Sequence, residues 1–111
     1  MQQYSYIIKP LAVRKVRAFY KNVYLKYPNT YSYYDMLRYI NNTVDAIYCI
    51  EQTVLRRKPT IERWLKWHMA HVGNWYYAYS IDGSTIIIHD ACHEQCLGRD
   101  GDPENYWFLK I

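Results

Sequence analysis

The stretch GNWYYAYSIDGSTIIIHDACHEQC, residues 73–96, predicts the centre of the fold. Residues 75–81 are rich in aromatic side chains and residues 84–89 in β-branched ones, and both kinds favour strands. Asp82-Gly83 lies between them, and this dipeptide is favoured where both central residues of a tight turn need positive φ. The stretch therefore predicts a β-hairpin. Its isoleucine run, residues 86–88, indicates a strand covered on both faces or nearly so.

The first half of the chain predicts two helices. Apolar side chains recur at helical spacing over residues 11–27 and again over residues 33–54. Thr30 or Ser32 can cap the second helix. That helix is expected to end at the basic residues 56–58, because cations suit the negative end of a helix dipole.

Two further strands complete the predicted sheet. Residues 4–8 and residues 67–72 are both β-prone. The fold class is therefore α+β: an N-terminal strand, then an antiparallel helical hairpin packed on one face of a small, mainly antiparallel sheet of about four strands. Residues 1–111 are expected to form one domain, in which residues 97–111 are a tail. Within that tail, the apolar residues 106–109 either dock as a short strand or turn, or bind a partner.

Charge and composition restrict the function. Residues 1–58 carry ten Lys and Arg against three Asp and Glu, whereas residues 59–111 carry four against seven. The basic half suits a polyanion or an acidic protein, although a solvated helical face explains it equally well. No signal peptide or membrane-spanning run is recognisable, and three cysteines do not make a disulfide framework. A cytoplasmic protein without a membrane partner is expected.

The element order and the hairpin resemble the RelE/ParE superfamily of bacterial toxins, in particular its RelE-like branch. The resemblance covers roughly residues 4–95. Its most specific part is GNWYYAYSIDG at residues 73–83, followed by TIII at residues 85–88 and DACH at residues 90–93. These match the family's glycine, aromatic strand, turn and aliphatic strand that ends in polar residues.

The resemblance implies a toxin that is neutralised by a cognate antitoxin protein. RelE-like members cleave mRNA on the ribosome, whereas ParE-like members act on DNA gyrase, so the fold does not decide the target. Many members carry an arginine in the strand after the glycine, where this chain has Tyr76. Several members end the last strand with basic residues or a His-Tyr pair, where this chain has Asp90 before Cys92-His93-Glu94. A homodimer in the absence of the antitoxin is left open.

Five residues are candidates for RNA cleavage, which needs a base, a cation at the phosphate and an acid. His93 and His89 can act as base or acid, and strand alternation places them on one side together with Ala91. Arg63 and Lys66 supply cations, and Tyr76 can stack on a base. A surface histidine at a strand end is the alternative interpretation of His93.

Four further residues are candidates for RNA binding: Arg56, Arg57, Lys58 and Trp75. Basic side chains contact phosphates and an aromatic ring stacks on bases. Core packing is the alternative interpretation of Trp75. A favourable interaction with the helix dipole is the alternative interpretation of Arg56, Arg57 and Lys58. A zinc site at His89, Cys92, His93 and Cys96 is disfavoured, because the spacing matches no standard pattern and a strand splays alternate ligands. No metal or cofactor is expected.

Two functional hypotheses remain. The first is a toxin of a toxin–antitoxin pair that hydrolyses mRNA as a metal-independent, ribosome-associated endoribonuclease. The second is a non-catalytic protein of the same fold that acts by binding a protein, either a gyrase-type target or an antitoxin alone. The two are distinguished by whether His93, Tyr76 and a Lys or Arg meet in one concave pocket.

Overall fold

Two helices pack on a four-stranded mixed sheet in the computed structural model, which describes residues 3–99. The helices are α1 (Pro10–Lys26) and α2 (Tyr33–Ala46), and the strands are β1 (Ser5–Ile8), β2 (His68–Val72), β3 (Trp75–Asp82) and β4 (Thr85–His93). The strand order is β1-β4-β3-β2, with β1 parallel to β4 and the other neighbours antiparallel. The predicted α+β architecture is confirmed. The prediction for residues 106–109 lies outside the described residues.

The helices form the expected antiparallel hairpin. Tyr24 of α1 contacts Tyr33 at the start of α2, and Tyr20 contacts Tyr39 one and a half turns later. Ser32 caps α2: its hydroxyl accepts a hydrogen bond from the Asp35 backbone, and the Asp35 carboxylate accepts one from the Ser32 backbone. Neither helix in residues 3–99 combines the length and apolar character that a membrane crossing requires.

The predicted C-terminal end of α2 is wrong. The helix ends at Ala46 and tightens into a 3₁₀ segment, Ile47–Gln52, while Val54 is 78% exposed. In a 3₁₀ helix, residues three apart lie above one another, so Ile47 and Ile50 are both buried. The core therefore selects a tighter helix than the spacing of the apolar residues suggested.

Both hairpins of the sheet turn on a glycine. Asp82 pairs with Thr85, so the central turn residues are Gly83 and Ser84, one position later than predicted. Gly83 has φ +61°, whereas Asp82 does not have a positive φ. A glycine with positive φ at the first central position is the type II′ arrangement. Gly73, with φ +60°, begins the equivalent turn between β2 and β3.

A β-bulge divides β4 in two. Tyr79 pairs with Ile88 and Ala78 pairs with Asp90, so His89 is the extra residue. The bulge shifts the alternation of side chains by one residue. Ile86 and Ile88 therefore share a face with Ala91 and His93, although the spacings between the two pairs are odd. Beyond the bulge, residues 90–93 are all buried, while Ile87 before it is only half-buried. The expectation of a strand nearly covered on both faces therefore holds for its second half.

Candidate functional site

His89 and Lys66, two of the five predicted catalytic residues, meet around the ring of Trp67. The Trp67 ring stacks on the His89 imidazole, with ring centroids 4.5 Å apart and planes 4° from parallel. The Nζ atom of Lys66 lies 4.5 Å from the centroid of the Trp67 ring. His89 Nε2 also forms a 2.7 Å hydrogen bond with Ser80 Oγ. These contacts hold the imidazole in one orientation beside a cation.

The surroundings of His89 determine its charge. Partial burial lowers the pKa of the imidazole below its usual 6.5, and the ammonium groups of Lys9 and Lys66 lower it further. The ring is therefore neutral at pH 7, with a lone pair on one nitrogen. A neutral imidazole near two ammonium groups is able to accept a proton beside a phosphate group.

His93 occupies a different environment, on the face of the sheet that carries the helices. Its ring stacks on Phe19 at 4.0 Å between centroids and meets Trp75 edge to face at 5.2 Å. Its Nδ1 atom accepts a hydrogen bond from the Gln95 backbone N–H, and burial lowers the pKa of the imidazole to about 4. The prediction that His89 and His93 share a side is wrong, because the bulge at His89 shifts the alternation between them.

Tyr76 and Arg63 have separate partners. The Tyr76 ring stacks on His71, with centroids 4.3 Å apart and planes 9° from parallel. Arg63 Nε lies 3.6 Å from a carboxylate oxygen of Asp90. His93, Tyr76 and Arg63 thus contact three different sets of side chains. Within residues 3–99, the concave pocket that contains His93 includes neither Tyr76 nor a Lys or Arg.

The predicted RNA-binding residues divide into an exposed group and a buried one. Arg56, Arg57 and Lys58 are exposed. They lie beyond the end of α2, so the helix dipole does not explain them; Arg56 has a left-handed backbone, with φ 61°. Trp75 is 2% exposed, and its indole N–H donates a hydrogen bond to Tyr20 Oη at 3.2 Å. The prediction of Trp75 as an RNA-stacking residue is wrong, because the ring belongs to the core.

Sequence reasoning missed a buried ionic cluster around Asp90. One carboxylate oxygen lies 2.6 Å from Lys15 Nζ, and the other accepts a 2.8 Å hydrogen bond from the indole N–H of Trp64. With Arg63, two cations face one carboxylate that is 5% exposed. Asp90 therefore anchors α1 and the 3₁₀ segment Glu62–Trp64 to β4, adjacent to His89. Its partners are too distant in sequence to be recognised by any local pattern.

A second missed feature is a cleft of about 430 Å³ beside α1, which we call the tyrosine cleft. Tyr20 and Tyr24 of α1, Tyr27 and Tyr31 of the following link and Tyr39 of α2 all line it. Its other described walls are Phe19, Val23, Met36, Asn74, His93, Glu94 and Gln95. The 14 tyrosines of the chain are the sequence signal that could have indicated such an aromatic surface.

The described residues contain no group of three or more His, Cys, Asp and Glu that is arranged to hold a metal ion. Cys92 and Cys96 are buried, and burial raises the pKa of the Cys92 thiol to about 12. Comparisons with models of protein families and with curated proteins found no match for the chain.

Proposed function

We propose that the protein is a RelE/ParE-like toxin that cleaves mRNA on the ribosome without a metal ion, with His89 in place of His93 as the general base. The observation that carries the proposal is the neutral His89 imidazole, hydrogen-bonded to Ser80 and near the ammonium groups of Lys9 and Lys66. A cytoplasmic location and a cognate antitoxin belong to the same proposal.

The chemistry follows from the arrangement around His89. One imidazole nitrogen faces Ser80, and the proton of an RNA 2′-hydroxyl moves to the other. The 2′-oxygen then forms a bond to the adjacent phosphorus, and the bond to the 5′-oxygen breaks as that oxygen takes up a proton from a water molecule. The His89 imidazolium returns its proton to the hydroxide that remains. The products are a 2′,3′-cyclic phosphate and a 5′-hydroxyl. Lys66 and Lys9 stabilise the negative charge that develops on the phosphate oxygens.

In this proposal, the ribosome positions the mRNA at the His89 site. Lys66 is exposed, His89 is half-buried, and neither residue lines the tyrosine cleft, so the proposed site relies on another body to hold a flexible strand in the reactive geometry. Positioning supplies a large part of the rate in such reactions. An mRNA that the ribosome already holds needs only the base and the cations from the toxin. The exposed residues Arg56, Arg57 and Lys58 are suited to contact the phosphates of ribosomal RNA.

The test is to induce the protein in cells and map new RNA 5′ ends. We expect growth arrest and new cuts, both lost in His89→Ala and strongly reduced in Lys66→Gln. His71→Ala is the matched control, because this exposed histidine stacks on Tyr76 outside the proposed site. Cuts that persist in His89→Ala contradict the assignment of the base, and the absence of any cuts contradicts the nuclease proposal itself.

A second candidate is a binding protein of the same fold, and two observations favour it. Among residues 3–99, His93, Tyr76 and a Lys or Arg do not share one concave pocket, and aromatic residues of α2 are exposed. Tyr33 is 58% exposed and Tyr34 is 84% exposed, and tyrosine is enriched at protein interfaces. Helix α1 carries five Lys and Arg and no Asp or Glu, so it suits an acidic partner such as an antitoxin. Growth arrest without RNA cuts, together with inhibition of gyrase supercoiling by the purified protein, would favour this candidate.

A further inference from the structure

The aromatic rings that line the tyrosine cleft lie at several different angles to one another. The Tyr20 and Tyr39 rings are stacked, with planes 13° from parallel. Tyr31 meets Tyr39 at 69°, and Phe19 meets Tyr20 at 90°. The walls of this one space are therefore formed by rings that lie in several planes. This arrangement resembles an aromatic cage more than a flat apolar groove.

The described lining of the tyrosine cleft is acidic, whereas the chain as a whole is basic. The formal net charge is +4, and yet the described lining residues include Glu94 and neither Lys nor Arg. His93, which also lines the cleft, adds no positive charge at pH 7, because burial lowers its pKa. The described lining thus combines aromatic rings, whose faces carry the negative end of the quadrupole, with the Glu94 carboxylate, which lies 3.9 Å from His71 Nε2. An anion is disfavoured at such a site, and an organic cation is favoured.

We propose that the tyrosine cleft binds a small quaternary-ammonium ligand, with the cationic head against the tyrosine rings and Glu94 at the rim. Cages of aromatic rings recognise alkylated ammonium groups because the cation meets the ring faces without needing hydrogen bonds. A volume of about 430 Å³ lies within the range of small-molecule sites, so the cleft accommodates a free solute and not only the end of a side chain. This site is separate from His89, and the proposal does not depend on the nuclease function.

The first experiment compares two probes of the same shape on the full chain by calorimetric titration. One probe is choline, and the other is its neutral carbon isostere, in which a tert-butyl group replaces the trimethylammonium group. We expect saturable binding of choline and about tenfold weaker binding of the isostere, since cation–π attraction in a partly desolvated site is of this size. Equal binding of both probes would reduce the cleft to an apolar cavity, and no saturable binding of choline would overturn the proposal.

Variants locate the binding. Glu94→Gln removes the carboxylate, which is 46% exposed in its side chain, and should weaken choline binding several-fold. Tyr31→Leu should abolish binding, while Tyr31→Phe, which keeps the ring, should retain it. Tyr34→Leu is the matched control, because Tyr34 is 84% exposed and is not a lining residue. A loss of affinity in Tyr34→Leu equal to that in Tyr31→Leu would contradict the location. Tighter binding of a trimethyllysine peptide than of choline would contradict a free solute as the ligand.

Discussion

Replacing His93 by phenylalanine should flatten the dependence of stability on pH. His93 stacks on Phe19, and burial lowers its pKa from 6.5 to about 4. The depressed pKa means that the unfolded chain binds a proton more readily than the folded one below pH 6.5. The wild-type protein therefore loses free energy of unfolding as the pH falls from 7 through 5, and this contribution is fully lost only below the folded pKa. His93→Phe keeps a ring against Phe19 and has no proton to bind.

The size of the effect follows from proton linkage. A pKa that falls from 6.5 to about 4 corresponds to a loss of about 2 kcal/mol in the free energy of unfolding between pH 7 and pH 5. Because the ring lines an open cleft, solvent screening reduces this figure, and we expect between about 1 and 2 kcal/mol.

Urea unfolding at the two pH values, followed by tryptophan fluorescence, measures the difference. The comparison of the two proteins cancels the carboxyl groups that titrate over the same range. If the wild type and His93→Phe lose the same free energy between pH 7 and pH 5, then His93 is not held neutral by burial, and the account of its environment given above is refuted.

Three further changes test other parts of the structure. Asp90→Asn should lower the free energy of unfolding by about 3 to 5 kcal/mol, because it leaves the largely buried ammonium of Lys15 without its carboxylate; Asp90→Asn combined with Lys15→Met should recover much of the loss in thermal unfolding. Lys66→Gln should raise the pKa of His89 part of the way toward 6.5 in an NMR titration, and an unchanged pKa would exclude the electrostatic role of Lys66. Gly83→Ala should lower the free energy of unfolding by about 1 to 2 kcal/mol, because φ at this position is +61°. The added Cβ meets no atom within 4 Å, so conformational strain is the whole effect. An unchanged unfolding midpoint in urea would contradict this prediction.

The sequence predicted the elements of the fold because their signals are local. The β-prone runs on either side of Asp82-Gly83 indicated the hairpin, and Thr30 or Ser32 indicated the start of α2. Asp82 and Gly83 both suit a turn, so the sequence could not show that the turn uses Gly83 and Ser84. Tertiary packing decided between these alternatives, as it also decided where α2 gives way to a 3₁₀ helix.

The candidate site was harder to predict, because one added residue changes the face of everything after it. The bulge at His89 leaves no gap in the β-prone pattern, so alternation placed His89 and His93 together when the structure separates them. Likewise, Trp67 and Lys66 precede β2, and the stacking of Trp67 on His89 of β4 depends on how the chain crosses the sheet. The sequence identified His89 and Lys66 as candidate residues, but it did not show how they lie relative to each other.

The pairing of β1 with β4 has a consequence for how the protein is made. Ser5 pairs with Thr85, so the first of the described strands in chain order pairs with the last. Contacts between residues so far apart in sequence form slowly, and N-terminal segments of a nascent chain must wait for their partners. The exposed edge of β4 is closed only after nearly the whole described chain has been synthesised. Until then β1 has no strand to pair with, and the sheet that carries His89 is incomplete.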